Sequence, residues 1–435
     1  MSDKKKNTGV ETTTLTPVPM EQRKSWLDVA FIQAGIMICV PSLLLGGMLA
    51  GAMDLIPAII SGAVGYGIVI ILFCLMGIMG SDLGVPTCMT SLGGFGRLGT
   101  RFLISTVIFA SMIGWFAVQN TVCGEAFSHL LQESFGVTIP SSVSTIIWGI
   151  IMLVTAVYGI NAMDKLNMIA VPCLFVMTIV GTILALRTYG TANLSVPVKE
   201  VTMSFADGVI LTINFMAAGV LAASDITRYQ RTRKDTILSS SLGVWPAGVL
   251  MVVLGAIMTK VANQYDITQV FVDVGLPILG MLVLIAATWT TNTSNAYSGG
   301  INAVMVLNLS DNKRSWATMI SGALGTVLAL MGLANSFEAF LNILGEIMLP
   351  MVGIIIADYW IIYKGDPKKF RFTEGFNWFG IISWAAGYAI IKLVNVGVPF
   401  AQGIIAAMII YVILTKLLRK AEPTGRVEEI ARKAS

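Results

Sequence analysis

Apolar residues run in long blocks along this chain, broken by short polar turnarounds. Blocks of roughly 18 to 25 residues, the length a helix needs to cross a bilayer, fall at 27–51, 55–79, 102–128, 142–161, 166–187, 205–224, 238–260, 274–297, 316–333, 336–357, 375–394 and 398–418. The pattern predicts an all-α integral membrane protein of twelve transmembrane helices. Before the first block, Met1 to about Glu21 is polar, with Lys4, Lys5 and Lys6 and a Thr and Pro rich run. It reads as a disordered tail and lacks the apolar core and cleavage pattern of a signal peptide.

Three blocks depart from plain hydrocarbon. In the eighth, the apolar run from Leu276 gives way to Thr288, Thr290, Thr291, Asn292, Thr293, Ser294, Asn295 and Ser298. Polar groups in lipid need partners, so such a cluster marks a binding pathway, unless the hydroxyls bond back to carbonyls one turn earlier. At about 100° per residue, Thr288, Thr291, Asn292 and Asn295 share one stripe, with Ala287, Thr290 and Thr291 on the adjacent face. Two neighbouring sites are predicted. In the first block, Gly35, Pro41, Gly46 and Gly47 argue against a continuous helix. Pro41 cannot donate to the Met37 carbonyl, and the carbonyls near Gly35 to Ile38 are freed for a cation or for neighbouring helices. The sixth block holds Asn214, Phe215 and the small run Ala217, Ala218, Gly219 before Ser224, Asp225, Arg228 and Tyr229. Interruptions five blocks apart are the pattern of inverted repeats with broken first helices, here about 25–190 and 200–360.

Composition and charge agree with this picture. Of the 435 residues 55% are hydrophobic and 12% charged, against about 25% charged in a soluble domain. With the amino terminus inside, all but Arg187, Lys199, Lys260 and Lys392 of the 28 lysines and arginines fall on the cytoplasmic side. That asymmetry predicts a multi-pass protein of the plasma (inner) membrane with both termini cytoplasmic. The basic loops are then explained by topology, and no nucleic-acid or obligate protein partner is implied. The chain divides into a tail at 1–24, a ten-helix core at 25–360, two further helices within 361–418 and a tail at 419–435.

Little else suggests chemistry. The five cysteines are scattered and read as packing residues; the single histidine, His129, reads as an interfacial polar tip. No triad, phosphate loop or metal constellation is present, so an enzyme is not expected. In the third block Trp115 and Gln119 face the same way one turn apart, a stacking plate beside an amide, as a flat heterocycle requires. Glu346 is an acid within the apolar tenth block, about 18 Å along the helix from Asp358.

These residues together resemble the nucleobase-cation symporters, which include cytosine, purine, allantoin and hydantoin permeases. The likeness rests on Gly35 to Gly47, Gly114-Trp115-Phe116, Asn214-Phe215 to Tyr229, Trp289-Thr290-Thr291-Asn292 and Ile355-Ile356-Ala357-Asp358-Tyr359, and covers nearly the full length. It implies the LeuT-type fold, a 5+5 inverted repeat plus two C-terminal helices. By resemblance a sodium ion would lie on the backbone of Gly35, Ile38 and Ala287 and the hydroxyls of Thr290 and Thr291. Trp115 and Phe215 would sandwich the substrate, with Gln119, Asn214, Asn292 and Asn295 as hydrogen-bond partners. Cytosine-transporting members, the nearest branch, carry a Gln three residues before the Trp where this chain has Met112. Gln119 instead matches the amide of hydantoin-type members. The glycine-rich loop from Gly80 to Arg101 lacks an Arg common before its Phe95, and Glu346 is atypical. The expected function is sodium-coupled import of a nucleobase, cytosine first, without a cofactor. Proton coupling through Glu346 or Asp225, for a heterocycle such as allantoin, hydantoin or hydroxymethylpyrimidine, is one alternative; a channel or non-transporting receptor is another.

Overall fold

The computed structural model describes residues 17–158, 160–264, 267–310, 313–394, 398–419 and 421–426. Secondary structure among them is helical, apart from two isolated bridges, Lys24 to Gln230 and Phe372 to Gly425. The first block is two helices, α1 (Trp26–Met37) and α2 (Val40–Ala52), bent by 57°. Next come α3 (Leu55–Leu83), the short α4 (Thr87–Thr90) and α5 (Leu92–Gly99), a π-helical turn at Thr100–Ile104, and α6 (Ser105–Phe135). Then follow α7 (Ser141–Tyr158) and α8 (Ile160–Tyr189). The sixth block is broken twice, into α9 (Phe205–Phe215), α10 (Ala217–Leu221) and α11 (Ala223–Thr227). The remainder is α12 (Arg233–Ala262), α13 (Ile267–Asp273), α14 (Pro277–Leu307), α15 (Arg314–Leu330), α16 (Phe337–Ile356), α17 (Trp378–Leu393) and α18 (Pro399–Leu418).

Among the described residues, six helical stretches are long and apolar enough to cross a membrane alone, and the bent pair α1 and α2 makes a seventh. The 31-residue α14 is not one of them, because its polar stretch dilutes an otherwise apolar helix. It also runs ten residues past the predicted end at 297, so the polar cluster lies mid-helix.

Both broken blocks start alike. Ser25 accepts from the Asp28 N–H while Asp28 accepts from the Ser25 N–H, and Ser204 and Asp207 repeat this reciprocal capping box. Packing repeats as well: α2 lies on α12 and α3 on α9, while α8 lies on α14 and α16 on α6. Helices α2 and α12 approach backbone to backbone, since a Cβ at Gly46 would strike the Val252 carbonyl and one at Gly255 the Leu43 carbonyl.

The predicted tail boundary at residue 24 changes. Arg23 is buried and donates to the carbonyls of Val18 (3.2 Å), Ser81 (2.5 Å) and Gln230 (2.9 Å), fastening residues 17–24 to the ends of α3 and α11. Burial holds its guanidinium below the ordinary value, with Asp82 pulling the other way. Residues 1–16 and 427–435 lie outside the described residues.

Candidate functional site

The break in the first block frees the carbonyls that Pro41 predicts. The Cys39 N–H, which a continuous helix would give to Gly35, bonds to the Met37 carbonyl (3.0 Å), and the Ser42 N–H goes to Cys39 (3.2 Å) instead of Ile38. Ile38 and Cys39 leave helical geometry, and Pro41 restarts the helix in the first turn of α2, where its missing N–H costs nothing.

Beside this break lies a cavity of about 530 Å³ that gathers residues from six blocks. Met37, Cys39 and Pro41 reach it from the break, Trp115 and Gln119 from α6, Phe215 from the end of α9, and Thr291 and Asn295 from α14. Gln119 is 2% exposed and bonds to no other described side chain or backbone group, so its amide is available to a ligand. From this depth the cavity extends toward Cys88, Arg228 and Met305, at the end of the bundle that carries the basic loops.

Three expectations change here. Trp115 and Phe215 are not parallel plates: their rings lie 5.5 Å apart at 89°, and Phe340 (5.5 Å, 79°) and Phe337 (5.9 Å, 77°) also meet the indole edge to face. Gly114 admits the Phe340 ring, which a Cβ there would strike. Edge-to-face contact satisfies the ring quadrupoles, and the indole forms a wall of the cavity. Asn214 points away from it, donating to Asn342 (2.9 Å) in a separate cavity of about 250 Å³ that also contains Asp207, Glu338 and Glu346. Phe215, one residue on, faces the central cavity. Asn292 is wholly buried and structural: it donates to the Phe116 carbonyl (3.0 Å), touches Met152 sulfur (3.2 Å) and accepts from Asn295 (3.2 Å). It thus pins α14 to α6 and orients Asn295.

Hydroxyls of the polar stretch bond back along the helix. Thr290 and Thr291 both donate to the Ala287 carbonyl, at 3.0 and 2.9 Å, while Thr288 and Thr293 donate to carbonyls one turn earlier. This satisfies their protons and leaves three neutral oxygens, two hydroxyl and one carbonyl, clustered on α14. Only Thr291 of the five sodium candidates lines the cavity; Gly35, Ile38, Ala287 and Thr290 do not.

Neither acid is a lone membrane charge. Glu346 pairs with Lys392 at 2.6 Å, with 23% of its side chain exposed, and does not reach the central cavity. Asp225 does line it, with one oxygen accepting the Thr87 N–H at 2.7 Å. One residue absent from the sequence-based set belongs to the site, and a second belongs to the separate cavity of Asn214. Gln33 of α1 is 1% exposed and lines the cavity; its amide nitrogen is 3.5 Å from Ser240, and its carbonyl oxygen has no partner among the described residues. A lone amide within the apolar run from Val29 to Val40 was the available signal. Asn342 partners Asn214, and its polarity within α16 was visible in the same way.

Similarity to known proteins can be set beside this geometry. The chain is 27% identical over 408 residues to the cytosine permease of Escherichia coli K12, covering 93% of this chain and 94% of that protein. It is 23% identical to the hydantoin permease of Microbacterium maritypicum, over 93% and 87% of the two chains. The inward-facing conformation of Mhp1 superposes with a TM-score of 0.83 at 20% identity, covering 96% of each chain. The closed, bromovinylhydantoin-bound form of Mhp1, a nucleobase-cation-symport-1 family transporter, gives 0.82 at 20% identity over 97% and 99%. The fold is therefore that of Mhp1. Residues 17–414 match the family described as permease for cytosine/purines, uracil, thiamine, allantoin, and with the broken helices and central cavity in place, the chain belongs to that nucleobase-cation symporter family.

Proposed function

We propose that the protein imports a flat, neutral nucleobase by sodium symport through alternating access, with cytosine the first candidate. The observation that carries this is the central cavity, where an indole, a free amide, a polar turn of α14 and a broken helix meet. Twelve spans in two inverted repeats of five plus two, with both termini cytoplasmic, is the arrangement we infer. The shared capping boxes and the repeated packing support it. Sodium would take the freed carbonyls of Gly35 and Ile38 with the oxygens of Ala287, Thr290 and Thr291. Neutral hard oxygens on two helices suit a monovalent ion that must leave in each cycle.

Trp115 offers a stacking surface worth about 0.5–1.5 kcal/mol beyond burial. Gln119 and Asn295 then read the ligand edge, since an unmatched buried donor or acceptor costs about 1–3 kcal/mol. Similarity to a cytosine permease favours cytosine, and the hydantoin-type amide at Gln119 favours a hydantoin next. A thermal-shift panel in sodium with cytosine, uracil, adenine, hypoxanthine, allantoin, a hydantoin and hydroxymethylpyrimidine tests the order. Cytosine should raise the melting temperature most, and stabilisation by a non-planar amino acid but by none of these would sink the nucleobase reading.

Proton coupling is the second reading, favoured by the position of Asp225 on the cavity wall. Uptake that follows an imposed pH gradient without sodium would select it.

A further inference from the structure

A second large concavity lies on the outside of the bundle, where the end of α14 and the starts of α6 and α15 meet. Its volume is about 780 Å³, and Phe109, Val306, Leu307, Trp316, Ile320 and Leu324 form most of its wall. Of the two polar residues there, Thr106 turns its hydroxyl back to the Phe102 carbonyl at 2.5 Å and presents its methyl face. The other is Lys313, exposed at the mouth. Arg101 flanks the same rim, donating from Nε to the carbonyls of Met305 and Val306 (3.0 and 3.2 Å), and Arg314 stacks over Tyr297 at 5.0 Å. Among the described residues none of these three cations has a carboxylate partner. The result is an apolar trough with positive charge at one end and an exposed Trp beside it.

We propose that this trough holds one acyl chain of an anionic phospholipid, with Lys313 and Arg101 at its phosphate. An acyl chain matches the lining, and a phosphate matches the rim. The rim also lies at the basic end of the bundle, facing the leaflet that carries anionic lipid if the termini are cytoplasmic. Position gives the site a consequence for transport. On α14, Asn302 and Met305 line the central cavity while Ala303 and Val306 line the trough; on α6, Ile108 and Met112 face the cavity and Phe109 the trough. A lipid seated there braces the two helices that form one cavity wall.

The test is native mass spectrometry of the purified, delipidated full chain with added phosphatidylglycerol or phosphatidylcholine of identical acyl chains. Phosphatidylglycerol should be retained roughly twenty- to thirtyfold over phosphatidylcholine, the size expected of two basic side chains at an anionic headgroup. Lys313→Gln, a surface change that leaves packing alone, should cut that preference about fivefold. Ala317→Trp, which fills the trough floor, should remove both adducts. Equal retention of the two lipids, or phosphatidylglycerol retention unchanged by Lys313→Gln, overturns the proposal. Retention of free oleate without either phospholipid overturns it as well. None of these readouts depends on the transported substrate, so failure here leaves the nucleobase reading untouched.

Discussion

Thr291 concentrates the question of coupling. It is the one sodium candidate that lines the central cavity, and its hydroxyl is already held at the Ala287 carbonyl. In the proposed sodium site, its removal deletes one ligand oxygen without opening a buried, unsatisfied donor. Thr291→Ala should therefore raise the sodium concentration for half-maximal uptake roughly two- to tenfold, the range of one modest polar interaction, while the melting temperature without sodium stays nearly unchanged. An unshifted sodium dependence would remove Thr291 from the ion site. The sequence made this residue legible because the expense of hydroxyls in lipid is a local property. It could not separate Asn292 from Asn295, which share a stripe: one turns into the α6 interface and the other into the cavity. Helical periodicity gives a direction to about a quarter-turn, and two asparagines three residues apart fall within that error.

At the scale of elements, breaks were easier to read than faces. Pro41 and the small residues after Asn214 announce both interruptions, because they act on the backbone itself. The repeat was also written in the residues, as Ser25-Trp26-Leu27-Asp28 and Ser204-Phe205-Ala206-Asp207, but four residues escape a search for overall identity between halves. What local sequence could not show is who meets whom. Glu346 looks like an unpaired acid in the apolar middle of α16, and only the fold brings Lys392 of α17 to it. Held by that ammonium and outside the central cavity, Glu346 touches neither the candidate substrate site nor the candidate ion site. Glu346→Gln should thus leave transport and its pH dependence unchanged from about pH 5.5 to 8, a window above the reference carboxylate value. The stability loss should stay within about 1 kcal/mol, since both partners are partly exposed. Uptake that loses its pH dependence in this variant would make Glu346 a coupling group after all.

For the whole molecule, one aromatic plug borders two separate cavities, the central one and a smaller one of about 180 Å³ lined by Val40, Thr121, Glu125 and Ala334. Phe215, Phe337 and Phe340 close around the Trp115 edge; Phe337 also lines the smaller cavity, while Trp115 and Phe215 line the central one, which runs toward the basic end. A pore needs a continuous polar path, whereas a plug between two separate cavities suits alternating access, with this conformation facing the basic end. Cys88 reports on that directly, because it lines the central cavity near its basic end, between α3 and α6. Burial, with Asp225 nearby, pushes its thiol up to about 12. Only the thiolate reacts, so modification should be slow at neutral pH and accelerate as pH rises toward that value. In a variant keeping Cys88 alone, a membrane-impermeant thiol reagent should label it from the cytoplasmic face and not from the outer face, and cytosine with sodium should slow the reaction. Labelling from the outer face only would reverse the orientation, and equal labelling from both faces would restore the channel as the better reading.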